Sequence, residues 1–205
     1  AFDPNTAGKF VVAYRDYGNS HYNTVNVGTV SGTAISFSGE SVVNTGNTQY
    51  NSISFDPNTA GKFIVAYKDL GNSNYGNAIV CQLEVITTSL TSTNFVGITA
   101  EAITSGATGV VVPQGGVAAS VANTPLLQVY GSEAAANSSN SYYVSTSYDP
   151  NNANKFVVVW MDTGNSNHGK AVVGTVSGTS ISYGTVGTWN AGGTGYISFA
   201  FDPNT

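Results

Sequence analysis

Residues 9–15 (Lys-Phe-Val-Val-Ala-Tyr-Arg), 62–68 and 155–161 are apolar, β-branched or aromatic at odd and even positions alike. A strand buried on both faces has this pattern. Residues 25–30 and 33–43 alternate instead, with Ile35 and Phe37 set against Ser36 and Ser38. Ser31-Gly32 breaks that run as a tight hairpin turn would, and Ser177-Gly178 repeats the break. Tyr50 to Phe55 predicts a further strand, echoed at 195–201. No window sustains an i, i+3, i+4, i+7 stripe with capping residues, so the expected fold class is all-β with few or no helices.

The strands recur with their turns. Phe-Asp-Pro-Asn, or Tyr-Asp-Pro-Asn, stands at Asp3, Asp56, Asp149 and Asp202, and the aspartates are 53, 93 and 53 residues apart. An Asp-x-Gly-Asn-Ser word begins at Asp16, Asp69 and Asp162, each 13 residues after the preceding Asp-Pro. The middle interval exceeds its neighbours by 40 residues, an excess that falls between 85 and 140. The expected organisation is two β repeats over 1–84, a β-rich insert or module over 85–140, and a third repeat with the start of another over 141–205. Within the insert, Val110 to Pro113 between glycine pairs is a hairpin signal. Ala1 to Thr6 repeats as Ala200 to Thr205, the expectation being a window cut from a longer array. Four short strands per fifty or so residues predicts the blades of a β-propeller, with a stacked β-solenoid or fibre as the competing architecture.

Turn chemistry accounts for the repeated polar residues. Asp3, Asp56 and Asp149 are placed to accept backbone N–H bonds in Asx turns while the following proline presets φ. Gly8 and Gly61 precede the buried strand, and Asn154 takes that position in the third repeat. Glycine and asparagine tolerate a left-handed backbone most cheaply, so one is expected at all three positions. Asp16, Asp69 and Asp162, followed by Gly18, Gly71 and Gly164, form the second set of turns.

Composition narrows the setting. Only 8% of the 205 residues are charged, and the net charge is −5 with six lysines and arginines, against about a quarter charged in ordinary domains. A surface wetted by Ser, Thr, Asn and Gly suits a virion or an extracellular protein. Without basic clusters, neither nucleic acid nor an anionic membrane is an expected partner, and no run approaches a membrane span. Cys81 alone makes no disulfide framework or cysteine zinc site.

Catalytic chemistry finds little support. Every aspartate occupies a repeated turn position, whereas catalysis wants neighbours that push pKa values apart. Convergence of Asp16, Asp69 and Asp162 at one end of a ring would be the glycosidase alternative, which needs two carboxylates about 5–9 Å apart. The Asp3 to Gly8 loop half-matches a calcium loop, but Ala7 and Tyr14 replace ligands, so no metal and no cofactor are expected. His21 and His168 lie one place apart in the repeat frame and read as polar loop residues. The candidate ligand contacts are the loop aromatics Tyr17, Tyr22, Tyr75 and Trp189, whose rings suit stacking on a sugar; packing between neighbouring repeats is the other role open to them.

The words Phe-Asp-Pro-Asn-Thr-Ala-Gly-Lys-Phe-Val-Val-Ala-Tyr-Arg-Asp and Gly-Thr-Val-Ser-Gly-Thr-Ala-Ile-Ser-Phe (28–37, echoed at 174–183) resemble propeller-type repeats of tail-fibre and other virion structural proteins, those of marine tailed phages of cyanobacteria among them. The segment from Asn94 through Gly115-Gly116-Val117 resembles a small β-module that follows such repeats. The resemblance implies a multi-copy, non-enzymatic surface protein that contacts the host, partnered by its own copies or other virion proteins and by cell-surface glycan. A secreted glycan-active enzyme or lectin and an extracellular filament subunit are the alternatives.

Overall fold

The computed structural model describes residues 1–84, 98–99, 111–112 and 126–202. Two compact units are present, one of Ala1–Glu84 with Pro125–Thr205 and one of Val85–Thr124. The first sheet joins Lys9–Asp16 (β1), Tyr22–Ser31 (β2) and Ala34–Asn44 (β3) in that order, all antiparallel. The second is built on Thr48–Phe55 (β4), Lys62–Asp69 (β5) and Tyr75–Glu84 (β6). In the smaller unit, Ile98–Thr99 (β7) pairs with Val111–Val112 (β8); the rest of the expected hairpin and of the 94–117 segment lies outside the described residues. Leu126–Tyr130 (β9) and Ala134–Ala135 (β10) then both pair with β6. The end of the expected 85–140 insert thus serves as the outer strand of the second sheet.

The third sheet runs Ser141–Tyr148 (β11), Lys155–Asp162 (β12) and His168–Ser177 (β13), with Ser180–Tyr183 (β14) and Gly187–Asn190 (β15) sharing the outer side of β13. A single three-residue 3₁₀ turn, Thr163–Asn165, is the helical content of the described residues. The protein is all-β, and none of its sheets closes on itself.

Hydrogen bonding cuts the sequence repeat in an unexpected place. The strand ahead of each Asp-Pro word pairs forward, into the sheet of the strand that follows it: Phe55 lies opposite Phe63, and Tyr148 opposite Phe156. Phe2 bridges Phe10 in the same way. Each sheet therefore straddles two sequence repeats.

The doubly apolar strands explain the packing. β1, β5 and β12 present one face to each neighbouring sheet. Val11 and Ala13 of β1 pack with Phe63, Val65 and Tyr67 of β5 in one cluster. The other face of β5, Ile64 and Ala66, packs with Phe156, Val158 and Trp160 of β12 in a second. Fully burying one such side chain is worth about 1.5–3 kcal/mol. The seam is closed in polar fashion too. Thr146 and Tyr148 of β11 donate their backbone N–H groups to the hydroxyls of Ser52 and Ser54 in β4, at 3.0 and 2.9 Å.

Packing also decides two glycines. Gly28 and Gly174 lie opposite Phe10 and Phe156, and the phenylalanine rings rest on them; a methyl at either glycine would sit 2.1 Å from the ring tip. The equivalent residue opposite Phe63 is Cys81, fully buried, and burial pushes its thiol pKa up. Gly174→Ala is expected to destabilise the protein by about 1–3 kcal/mol, as overpacking does. Urea denaturation measures this; an unchanged midpoint would mean the Phe156 ring has room to move.

Candidate functional site

The repeated aspartates are occupied locally. The Oδ1 atoms of Asp3, Asp56 and Asp149 accept the N–H groups of Asn5, Asn58 and Asn151, each at 2.9 Å. Asp16, Asp69 and Asp162 accept from Gly18, Gly71 and Gly164 at 2.8, 2.7 and 3.0 Å. Asp3 also reaches across the seam, where its Oδ2 accepts the Gly61 N–H at 3.0 Å. Gly8, Gly61 and Asn154 have φ of 72°, 71° and 61°. In the second word the left-handed residues are not the glycines. They are the pairs Ser20-His21, Ser73-Asn74 and Ser166-Asn167, with φ from 51° to 64°. His21 thus stands at a position that asparagine fills in the other repeats.

A second set of left-handed residues carries tyrosine. Tyr50, Tyr143 and Tyr196 have φ of 54°, 53° and 52°, and the first two sit in bulges where the β4–β5 and β11–β12 registers slip. A bulky side chain at positive φ costs of order 1–3 kcal/mol. Three copies of that strain bring three rings into a row: Tyr50 and Tyr143 are 5.2 Å apart between centroids, Tyr143 and Tyr196 5.1 Å. Bulges re-aim side chains, and here they bring Tyr50 of the second sheet and Tyr143 of the third together.

Beside this row, the seam between the first two sheets opens into a cleft of about 380 Å³, lined by Ala13, Tyr14, Arg15, Tyr17, Gln49, Tyr50 and Asn51. Arg15 lies over the Tyr17 ring, 4.8 Å from its centroid. Its Nη1 donates to the Tyr17 hydroxyl at 3.2 Å and its Nη2 to Asn47 Oδ1 at 2.9 Å. Two polar atoms of the lining, Arg15 Nε and Asn51 Oδ1, are buried with no hydrogen-bond partner among the described residues. One is a donor and the other an acceptor, a pairing suited to a hydroxylated ligand. Burial and the neighbouring phenols of Tyr143, Tyr142 and Tyr196 raise the Tyr50 pKa, which keeps its hydroxyl protonated.

The next seam shows the same positions closed. Lys68 takes the place of Arg15 and Tyr142 that of Gln49; the Lys68 ammonium lies 3.6 Å from the Tyr142 ring centroid and is buried. Such a cation–π contact is worth up to about 2 kcal/mol when desolvated. At the third position in the series stand Met161 and Gly195, which carry neither charge nor ring. The first seam therefore keeps the cation and lacks the aromatic lid.

A carboxylate pair forms elsewhere. Glu133 accepts Asn44 Nδ2 at 2.7 Å and also accepts Asn77 Nδ2. Burial, and then the adjacent Asp69 carboxylate, push the Glu133 pKa up to about 7. Asp162 instead accepts the Ser139 hydroxyl at 2.7 Å, and Asp16 accepts the backbone N–H groups of its own turn. No three His, Cys, Asp or Glu side chains group as a metal ligand set among the described residues.

Of the aromatics marked in the sequence, Tyr17 borders the cleft and is exposed. Tyr22 and Tyr75 lie opposite Asp16 and Asp69 at the ends of β2 and β6. Trp189 covers Gly169, donates Nε1 to the Lys170 carbonyl at 3.0 Å, and lines a different cleft with Ile197 and Phe199. Gln49, Tyr50 and Asn51 belong to no motif. Their signal in the sequence is register, for Tyr50, Tyr143 and Tyr196 follow the same 93 and 53 spacing as the aspartates. Comparison with protein-family models, curated proteins and solved structures finds no match for the chain.

The Glu133 shift fixes a pH dependence. A carboxyl whose pKa is higher folded than unfolded contributes stability below about 4.5, and that contribution is lost as pH rises through about 7. The thermal midpoint is expected to fall across that window, and to fall less in Glu133→Gln. Melting curves at a series of pH values decide it, and superimposable profiles for the two proteins would refute the assignment.

Proposed function

We propose that this chain is a non-enzymatic structural and adhesive part of a virion or extracellular surface, its three larger sheets being β-propeller blades, and that its first seam binds glycan. The blade reading draws support from the repeated seam: successive sheets pack face to face, and their first strands, β4 and β11, lie side by side through the Ser52 and Ser54 bonds. The resemblance of the repeats to tail-fibre and other virion structural proteins supplies the setting, in keeping with a surface of few charges.

One observation carries the binding reading. Arg15, Tyr17, Tyr50, Gln49 and Asn51 border an open cleft at the very place where Tyr142 caps Lys68 one seam further on. A pyranose ring fits the space that Tyr142 fills there: its C–H face suits stacking on a tyrosine ring, and its hydroxyls suit the guanidinium and the unpartnered Nε and Oδ1. Weak contacts of this size become useful when multiplied over many copies.

The experiment is a glycan array with the purified protein, followed by titration of the best hit. Gln49→Tyr gives the first seam the ring that the second already has; it is expected to leave the fold intact and abolish binding. Arg15→Ala is expected to weaken binding about tenfold, the equivalent of 1.4 kcal/mol. An array without a hit, or a Gln49→Tyr protein that binds as well as its parent, would remove the cleft from consideration.

The pairing of Glu133 with Asp69 favours a second reading, glycan hydrolysis, because a carboxyl with pKa about 7 is a proton donor near neutral pH. Turnover of an array hit that disappears in Glu133→Gln would establish it in place of binding alone.

A further inference from the structure

One end of the first internal seam gathers oxygen atoms from both sheets. Asn44 closes β3 of the first sheet, Asp69 and Asn77 lie on β5 and β6 of the second, and Glu133 stands just ahead of β10. The Asn44 amide donates to the Tyr67 hydroxyl at 3.0 Å and to Glu133 Oε2 at 2.7 Å, and the Asn77 amide donates to Glu133 Oε1. The Asp69 carboxylate adjoins Glu133. A methyl placed on Gly46 would lie 2.7 Å from Asn44 Oδ1 and 3.0 and 3.5 Å from the two Asp69 oxygens. Glycine at 46 thus keeps that side of the cluster free of a Cβ.

Charge and hydrogen bonding are both incomplete there. Asp69 is buried, and two carboxylates that share a site repel unless something positive lies between them. Asp69 Oδ1 accepts the N–H groups of Gly71 and Asn72, which bring dipoles and no charge. Among the described residues the ion pair is Lys62 with Asp56, so no cationic side chain pairs with Asp69 or Glu133. Asn77 is fully buried, and its Oδ1 has no hydrogen-bond partner, a costly state for a buried acceptor. Turning the amide over moves the difficulty, since Oδ1 would then face the Glu133 carboxylate, oxygen against oxygen. A cation between them satisfies both.

We propose that this cluster binds a calcium ion, held by the carboxylates of Asp69 and Glu133 and by Asn77 Oδ1 once that amide turns toward Glu133. Water completes the shell on the outer side, where Glu133 is exposed. Calcium mixes carboxylate, amide and water oxygens in irregular geometry, whereas magnesium demands an octahedron. Asn44, bonded to Glu133 from the first sheet, orients that ligand as outer partners of a metal site do, so the ion tightens the seam. The sequence shows no calcium motif here because the ligands come from three separate segments. The raised Glu133 pKa belongs to the ion-free protein. A bound ion also takes Glu133 away from proton donation, so the inference stands apart from the hydrolysis reading and leaves the glycan cleft untouched.

Protein stripped with EDTA, then titrated with calcium chloride in a calorimeter, tests the site. Two carboxylates and an amide are expected to give one site with Kd of about 10⁻⁴–10⁻³ M, the range of extracellular calcium modules. The thermal midpoint is expected to rise by about 3–6 °C at a tenfold excess over Kd. Glu133→Gln keeps the side chain's size and its acceptor for Asn44, and is expected to weaken binding about tenfold or more. Absence of heat and of any shift up to about 10 mM calcium, a shift matched by sodium chloride at equal ionic strength, or a Glu133→Gln protein that binds as its parent does would each overturn the proposal. Circular dichroism of Glu133→Gln guards against a folding defect. Should that variant unfold, Asp69→Asn replaces it with the same outcomes, since asparagine can still hold the turn.

Discussion

The structure depends on a strand that is apolar on both sides. β5 is buried along nearly its whole length, from Phe63 to Asp69, and no single sheet can cover both of its faces. It needs one neighbour for Phe63, Val65 and Tyr67 and another for Ile64 and Ala66. That demand produces a series of sheets with matching seams, and the remaining features serve it. Glycines 28 and 174 let phenylalanine rings lie flat across the adjacent strand. Asp3 ties its own turn to the Gly61 turn of the next sheet. The hydroxyls of Ser52 and Ser54 occupy N–H groups of β11 that would otherwise be an open strand edge.

Seams built from equivalent residues are free to diverge where packing does not hold them. Arg15 with Gln49, Lys68 with Tyr142, and Met161 with Gly195 are three versions of one site. Burying a lysine requires a partner for its charge, which Tyr142 supplies as a ring; exchanging that ring for Gln49 leaves space, a partly exposed guanidinium and unpartnered polar atoms. The strained Tyr50 lines this space, and Tyr143 and Tyr196 continue its row of rings. A backbone held at positive φ three times over, at Tyr50, Tyr143 and Tyr196, persists only where the surrounding structure over-determines it.

Much of the architecture was legible because its causes are local. Alternation or its absence located β1, β3, β5 and β12, and Asp-Pro and Gly or Asn marked turns whose backbone accepts few other residues. What was not legible depends on pairing between distant segments. Nothing in Tyr50 to Phe55 says that the strand bonds forward to β5 and not back to β3. Residues 126–135 hold no repeat word, yet they complete the second sheet because β6 has an open edge there. The cleft was half legible: Tyr17 stands out as a loop aromatic, whereas Arg15 ends an apolar strand run and Tyr50 looks like any strand tyrosine until its backbone angle is known. The left-handed residues of the second word fall on Ser20 and His21 for the same reason, since the Asp16 carboxylate already holds Gly18 in the turn.

The forward pairing of β4 has a consequence for dissecting the chain. A single repeat excised between successive Asp-Pro-Asn words would leave behind the edge strand that its central strand bonds to, and would carry in exchange a strand meant for its neighbour. Cut instead just ahead of Thr48 or Ser141, the fragment would hold first, second and third strands of one sheet in continuous polypeptide. The boundary of the folding unit is thus offset by about eight residues from that of the word repeated in the sequence, on the strand pairing of Phe55 with Phe63.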